Sequence, residues 1–398
     1  MHEIETATGH TATARETVRE LRSSKIREVA NAAMGNPDVL PFWFGEPDEP
    51  TPESIRAAAI KSLQDAETYY VQTLGLPELR EQLARYINDL HSSVRTVNNI
   101  AVTSSGVSSL MLAVQSIVDK GDTVVAVTPI WPNLVEMPKV LGARVNPVNL
   151  DFAANGWRLD LDKLIDALRP GIKALLINSP NNPTGWVMTP HERETILNHC
   201  RKHGIWIVSD DVYERYYFKA NVAPSFMDVA DPDERVISCN SFSKAWRMTG
   251  WRIGWVVVPK GMLADVSKLI EYNSTCTPGF IQRAAIHALV RGEDDVRKTV
   301  ERLKHARNRL AEGLSTIPQV LSAPPADGAM YTFFRIEGMR DSLEFAKRLV
   351  ASAGLGLAPG VAFGNEGEGF LRWCFASSDE RLDEGVKRLK RYLAEQGI

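Results

Sequence analysis

Residues 174–209 read ALLINSPNNPTGWVMTPHERETILNHCRKHGIWIVS. A short aliphatic run, Ala174–Asn178, opens the stretch, and a second, Ile205–Ser209, closes it. Both are too short for buried helices and have the composition of buried strands. Between them lies a turn-rich segment of Asn and Pro and then a polar stretch, 189–203, with a helical period. That helix carries its own start signal. Thr189 suits the cap, Pro190 the first turn, and Glu192 stands three residues past the cap, as a capping box requires. Strand, helix, strand in so short a span is the repeating unit of a parallel α/β sheet.

The same alternation runs outward in both directions. Aliphatic runs recur at Ile100–Thr103, Val124–Thr128, Arg235–Cys239 and Gly254–Val258, with helical patterns at 107–119 and 160–169. The expected fold is α/β: a large lobe with a mostly parallel mixed sheet flanked by helices. Past residue 290 the texture changes. A long charged helix, Glu293–Leu314, precedes strand-like segments at Ala329–Ile336 and Gly369–Ala376 and helices at 341–353 and 379–395. These predict a smaller α+β lobe. The expected division is 51–290 for the large lobe and 15–50 with 291–398 for the small one. Residues 1–14 read as a flexible N-terminus. Pro47, Pro50 and Pro52 mark a hinge between the lobes.

Composition narrows the function classes. The chain has 46 Lys and Arg against 49 Asp and Glu, a formal net charge of −3, which gives no general attraction to nucleic acid or anionic membrane. Cys200, Cys239, Cys276 and Cys374 form no C-x-x-C pair, so neither a metal site nor a disulfide framework is expected. The first twenty residues lack the basic and apolar regions of a signal peptide, and no apolar run approaches the ~18–20 residues of a membrane span. The expectation is a cytoplasmic protein without nucleic-acid or membrane partners.

Chemistry concentrates in turns that follow strands. Ser241-Phe242-Ser243-Lys244-Ala245-Trp246-Arg247-Met248-Thr249-Gly250-Trp251-Arg252 joins two expected buried strands. A buried lysine near other cations has a depressed pKa and becomes a nucleophilic amine. Hydroxyls and arginines beside it are phosphate ligands. One loop can thus hold an aldehyde and a phosphate. This segment resembles the cofactor-lysine signature of class I/II aminotransferases, aspartate-aminotransferase-like enzymes of fold type I that depend on pyridoxal 5'-phosphate. The resemblance covers residues 25–395, with the motifs in the family's order.

The resemblance implies a role for each matching residue. Lys244 forms the Schiff base with the cofactor and moves the proton, with Ser241, Ser243 and Arg252 on the phosphate. Asn182, in Asn181-Asn182-Pro183-Thr184-Gly185, reaches the cofactor's phenolic oxygen, and its bond to Pro183 is expected to be cis. Asp210, in Ser209-Asp210-Asp211-Val212-Tyr213, pairs with the protonated ring nitrogen, and Tyr213 joins Asn182 at the phenolic oxygen. Asp211 is read as structural. Ser105, Gly106 and Val107 form the phosphate turn at a helix start, and Trp131 stacks on the ring. On the substrate side, Arg372 clamps the α-carboxylate, Gly45 lets it approach the backbone, and Trp131 and Asn182 border it. Tyr70 matches a tyrosine that reaches the neighbouring subunit's phosphate, which implies a homodimer. Glu49 departs from the family, which often has an aromatic there.

The activity implied is transfer of an amino group between an L-amino acid and a 2-oxo acid by a ping-pong route, with a leaning to aspartate and 2-oxoglutarate. Carbon–sulfur lysis or another elimination on the same fold stays open as the alternative. A regulator that only binds the cofactor is more remote, because such proteins carry a DNA-binding region. No G-x-G-x-x-G follows the first strand, which sets aside a nicotinamide dehydrogenase.

Overall fold

The computed structural model describes residues 13–153, 156–322 and 324–396, apart from the side chain of Ser322. The expected flexible N-terminus therefore falls almost wholly outside the described residues. The large lobe is built on seven strands: β1 Ile100–Thr103, β2 Thr123–Thr128, β3 Arg144–Asn149, β4 Ala174–Asn178, β5 Trp206–Asp210, β6 Val236–Ser241 and β7 Gly254–Val257. They lie in the order β1-β7-β6-β5-β4-β2-β3. β3, β2, β4, β5 and β6 run parallel, and β7 is antiparallel to both of its neighbours. Every residue of β1, β4, β6 and β7 is buried, as expected of strands covered on both faces. One hydrophobic cluster covers each face of this sheet.

Three helices of this lobe bear on the site or the sequence reading: α1 Gly106–Ile117, α2 Pro132–Val140 and α3 Pro190–His203. The box at the start of α3 forms as expected. Thr189 Oγ1 accepts from the Glu192 amide at 3.2 Å, and the Glu192 carboxylate accepts from the Thr189 amide at 2.7 Å.

A four-stranded antiparallel sheet forms the second lobe: β8 Val320–Ser322, β9 Tyr331–Ile336, β10 Ala358–Pro359 and β11 Phe370–Cys374, in the order β8-β9-β11-β10. Helices α4 Glu293–Ser315, α5 Ser342–Ala353 and α6 Asp379–Gln396 complete it. α4 buries Val296, Thr299, Leu303, Ala306, Leu310 and Leu314, a stripe at helical spacing whose Leu303, Ala306, Leu310 and Leu314 join a third hydrophobic cluster, while Val296 packs with the large lobe. The chain's early residues join this lobe, since Leu40–Pro41 pairs in parallel with Leu355–Gly356.

The segment with the three prolines crosses between the lobes and is fastened at both ends. The Asp48 carboxylate accepts from the Ser378 amide at 2.7 Å and from Arg302 of α4 at 2.5 Å. Thr51 donates to the Arg247 carbonyl at 2.7 Å. Glu49 bridges Arg247, three residues past Lys244, and Arg302. The position at which the family often carries an aromatic is here an ionic link between a large-lobe loop and a small-lobe helix.

Candidate active site

Thr103, Thr128, Asn178, Asp210 and Ser241 end their strands at one edge of the large sheet, and Gly254, which begins the antiparallel β7, lies at the same edge beside Thr103 and Ser241. The carboxyl ends of parallel strands are where open α/β sheets hold ligands. Here they floor a cavity of about 670 Å³, with Arg372 and Tyr331 of the small lobe on its far side.

At one end the cavity is a cup of donors. Ser105 caps α1, its hydroxyl accepting from the Ser108 amide at 3.0 Å. Gly106 and Val107 form the first turn of α1, so their N–H groups have no partner within the helix and point out with its positive end. Ser241 and Ser243 lie opposite, their hydroxyls 2.9 Å apart, and the Arg252 guanidinium reaches Ser243 at 3.5 Å. Arg252 is held in the left-handed backbone region, at φ 53°, which turns its side chain toward the cup. The backbone packs tightly beneath. A Cβ on Gly254 would stand 2.6 Å from the Gly106 nitrogen and 2.6 Å from the Asn240 carbonyl oxygen.

Lys244 and Asp210 occupy the middle. The Lys244 amine donates to the Gly45 carbonyl at 2.6 Å and lies 5.6 Å from the centre of the Tyr213 ring. Burial lowers its pKa to about 8; Arg372 and Arg252 push the same way, against Cys374 and Glu46. Burial and the adjacent Asp211 raise the Asp210 carboxyl to about 7. Asp211 points away from the cavity and accepts from Ser209 at 2.6 Å and Ser238 at 2.5 Å, in line with its structural reading.

The third group centres on Arg372, 2 % exposed on β11. It donates to Asn182 Oδ1 at 2.9 Å and to the Trp43 carbonyl, and its Nε is buried without a partner among the described residues. Its guanidinium lies 4.4 Å from the centre of the Tyr331 ring and 4.9 Å from that of Phe363. Asn182 is fixed by its amide, which donates to Asn178 Oδ1 at 2.7 Å, and Asn178 in turn donates to the Asp210 carbonyl. The Asn182–Pro183 bond is cis, as expected. Tyr213 and Tyr331 share a hydrogen bond of 2.7 Å, and burial raises the pKa of the Tyr213 hydroxyl.

The structure therefore gathers Gly45, Gly106, Val107, Trp131, Asn182, Asp210, Tyr213, Ser241, Ser243, Lys244, Arg252 and Arg372 on one cavity, with Ser105 at its border. Tyr70 stands apart, 88 % exposed on the chain's own surface. Two residues absent from the sequence-derived set belong here. Tyr331 packs against Gly45 so closely that a Cβ there would sit 1.9 Å from its hydroxyl. Asn178 links Asn182 to Asp210. Asn178, at the last position of an aliphatic run, offered a signal; Tyr331 offered none beyond its strand.

Residues 37–389 match the family Aminotransferase class I and II. The chain belongs to that family. The aspartate aminotransferase of Pyrococcus horikoshii is 33% identical over 95% of this chain and 96% of its own length. The aromatic-amino-acid aminotransferase 2 of Thermococcus litoralis is 32% identical over 94% and 97%. The crystal structure of the Thermotoga maritima aspartate aminotransferase superposes with a TM-score of 0.89 at 32% identity, covering 96% of this chain and 100% of that one. Like the family, this aminotransferase depends on pyridoxal phosphate.

The residues present fit that cofactor. The cup offers hydroxyls, a guanidinium and helix-start amides suited to a phosphate dianion. Asp210, costly to bury as a lone anion, is suited to a pyridinium partner. The orphaned Arg372 Nε and its neighbouring donors suit a carboxylate.

Proposed function

We propose that Lys244, Asp210 and Tyr213 carry the chemistry of amino transfer and that Arg372 holds the amino acid. The observation that supports this most is one cavity containing a buried amine, a buried carboxyl group and a buried arginine whose Nε has no partner.

The cofactor, when bound, supplies an aldehyde carbon and an electron-withdrawing pyridine ring. Ser105, Ser241, Ser243, Arg252 and the amides of Gly106 and Val107 would hold its phosphate. Trp131 would cover the ring face. Asp210 would pair with the ring nitrogen and keep it protonated. Asn182 and Tyr213 would donate to the phenolic oxygen. Arg372 grips the α-carboxylate in a two-pronged bond, and Gly45 leaves room for it against the backbone. The amine of Lys244, half-neutral near pH 8, would take the proton from the substrate α-carbon and return it on the far side of the amino nitrogen, two bonds away. Its short path makes orientation the main contribution. Water would release the first 2-oxo acid, and a second 2-oxo acid would then use the same residues in the reverse order, which is a ping-pong exchange.

The working unit in this proposal is a cytoplasmic homodimer in which Tyr70 reaches the partner's phosphate cup; its exposure in the single chain suits that role. The lobes divide as 51–290 against 15–50 with 291–398. The names of the relatives bring two donor classes to this chain, aspartate and aromatic amino acids, with 2-oxoglutarate as the acceptor to try first.

The test is amino exchange between a panel of donors and 2-oxoglutarate, in wild type and Lys244→Ala. Exchange is expected in the wild type and its near-complete loss in the variant, together with the visible absorption band of the lysine-bound cofactor. Exchange at the wild-type rate in Lys244→Ala would refute the assignment. Release of pyruvate and ammonia from cystathionine without exchange would instead indicate carbon–sulfur lysis.

A further inference from the structure

Amino transfer needs an amine and a carboxylate grip at a fixed separation, and here the two come from different lobes. Lys244 follows β6 in the large lobe, and Arg372 stands on β11 in the small one. Residues 43–45 touch both: the Trp43 carbonyl accepts from Arg372, and the Gly45 carbonyl accepts from Lys244 at 2.6 Å. The next residues, 46–51, are laced to the loop that carries Lys244. The Glu46 carboxylate accepts from Thr249, the Thr51 hydroxyl donates to the Arg247 carbonyl at 2.7 Å, and it accepts from Trp251 Nε1 at 2.9 Å.

Glu49 stands where this lacing meets the small lobe. Its carboxylate accepts from Arg247 and lies 3.1 Å from Arg302 of α4. Arg302 also donates to Asp48, which accepts from the Ser378 amide. At the large-lobe end, the Arg247 backbone is left-handed, at φ 56°, which a residue other than glycine keeps only when its surroundings fix it. They do so here: its amide donates to the Lys244 carbonyl at 2.9 Å, its carbonyl accepts from Thr51, and its guanidinium is bound by Glu49. The Lys244 carbonyl takes a second bond, from the Tyr216 hydroxyl at 2.5 Å. A displacement of Glu49 therefore reaches the backbone of Lys244 through a single residue, Arg247.

We propose that Glu49 is a positioning residue: its carboxylate, shared between Arg247 and Arg302, straps the Lys244 loop to the small lobe and sets the separation of the amine from the Arg372 grip. This rests on the aminotransferase reading and adds to it a residue that does not itself line the cavity. The strap matters to one ligand and not to the other. The groups proposed to hold the cofactor, from Ser105 to Arg252, lie in the large lobe, on one side of the strap. An amino acid is met from both sides, by Lys244 and by Arg372. A partly exposed ion pair changes an equilibrium by up to about fivefold, so loss of the two pairs on Glu49 should cost the amino-acid step about fivefold.

The holoenzyme is mixed with aspartate, alanine or phenylalanine without any acceptor, and the half-reaction is followed by the change in visible absorbance. Wild type, Glu49→Gln, Arg302→Gln and the double variant are compared. Glu49→Gln should lower the second-order rate constant about fivefold, by nearly the same factor for each donor. The double variant should lose less than the product of the single losses, because both act through one contact. Two measurements on the cofactor-free protein accompany the kinetics. The dissociation constant for pyridoxal phosphate in Glu49→Gln should stay within about twofold of wild type. Backbone hydrogen exchange at 244–252 should quicken. Rate constants for Glu49→Gln within about twofold of wild type would overturn the proposal even with faster exchange, because the strap would then be structural only. Single losses that simply multiply would also overturn it. So would a dissociation constant for pyridoxal phosphate that rises by the factor by which the rates fall, since Glu49 would then support the cofactor. A wild-type enzyme that reacts with no donor would instead refute the aminotransferase reading, and the role of Glu49 with it.

Discussion

Gly254→Ala is the most direct test of how the backbone builds the phosphate cup. The added Cβ would stand 2.6 Å from the Gly106 nitrogen, 2.6 Å from the Asn240 carbonyl oxygen and 2.8 Å from the Ser105 carbonyl carbon. Ordinary contact begins at 3.4 Å, so the groups must separate by about 0.8 Å. β7 cannot yield easily, since it is hydrogen-bonded to β1 on one side and β6 on the other. The start of α1 is the side that moves. An N–H···O bond of about 2.9 Å lengthened by that amount is no longer a hydrogen bond. Overpacking costs about 1–3 kcal/mol, and a hydrogen bond to a charged group contributes about 1.5–3 kcal/mol. At about 1.4 kcal/mol per tenfold, the dissociation constant for pyridoxal phosphate should rise about 10–100-fold. Titration of the apoenzyme by quenching of protein fluorescence measures it. Gly250→Ala is the control: a Cβ there meets nothing within 4 Å, and affinity should stay within about twofold of wild type. An unchanged affinity in Gly254→Ala would refute the argument that this glycine sets the position of the cup.

Arg372→Lys keeps the charge but not the planar fork, so kcat/KM should fall about 10–100-fold by nearly the same factor for every donor, as steady-state kinetics across the panel will report. The rate at which apoenzyme takes up pyridoxal phosphate should climb about tenfold per pH unit below pH 8 and level above it, because only the neutral Lys244 amine reacts; stopped-flow absorbance across pH 6–9.5 checks this. Buried His91 bonds Asp228 at 2.7 Å and Glu214 at 3.1 Å. Burial alone would lower its pKa, but these two carboxylates raise it from 6.5 to about 10. A raised pKa contributes stability that is fully present below pH 6.5 and lost as the pH rises through 10. His91→Asn should therefore cost about 3 kcal/mol at pH 6 and less at each step toward pH 10, measured by urea unfolding.

The central layer of the fold was legible because burial on both faces leaves continuous aliphatic runs. Ile100–Thr103 and Ala174–Asn178 have the same limits in sequence and structure. The start of α3 was legible from the chemistry of its cap. β3 was not. It lies at the edge of the sheet, buries only Val148 fully, and contains Pro147, which an edge strand tolerates and a central one does not. The cofactor cup could be read because its groups cluster within short turns. Tyr331 could not, because its place depends on packing against Tyr213, 118 residues away, and on a glycine at position 45.

The site's two halves were written into the chain at different points. All the cup and ring positions, from Ser105 to Arg252, precede the end of the seventh sheet strand at Val257. The carboxylate grip comes more than a hundred residues later, on β11, and is braced by Trp43 and Asn182, which were made long before. A ribosome thus releases every group proposed to hold the cofactor while Arg372 is still unmade. In the proposed arrangement the chain, during synthesis, holds the parts for capturing its cofactor before it holds the parts for choosing a substrate.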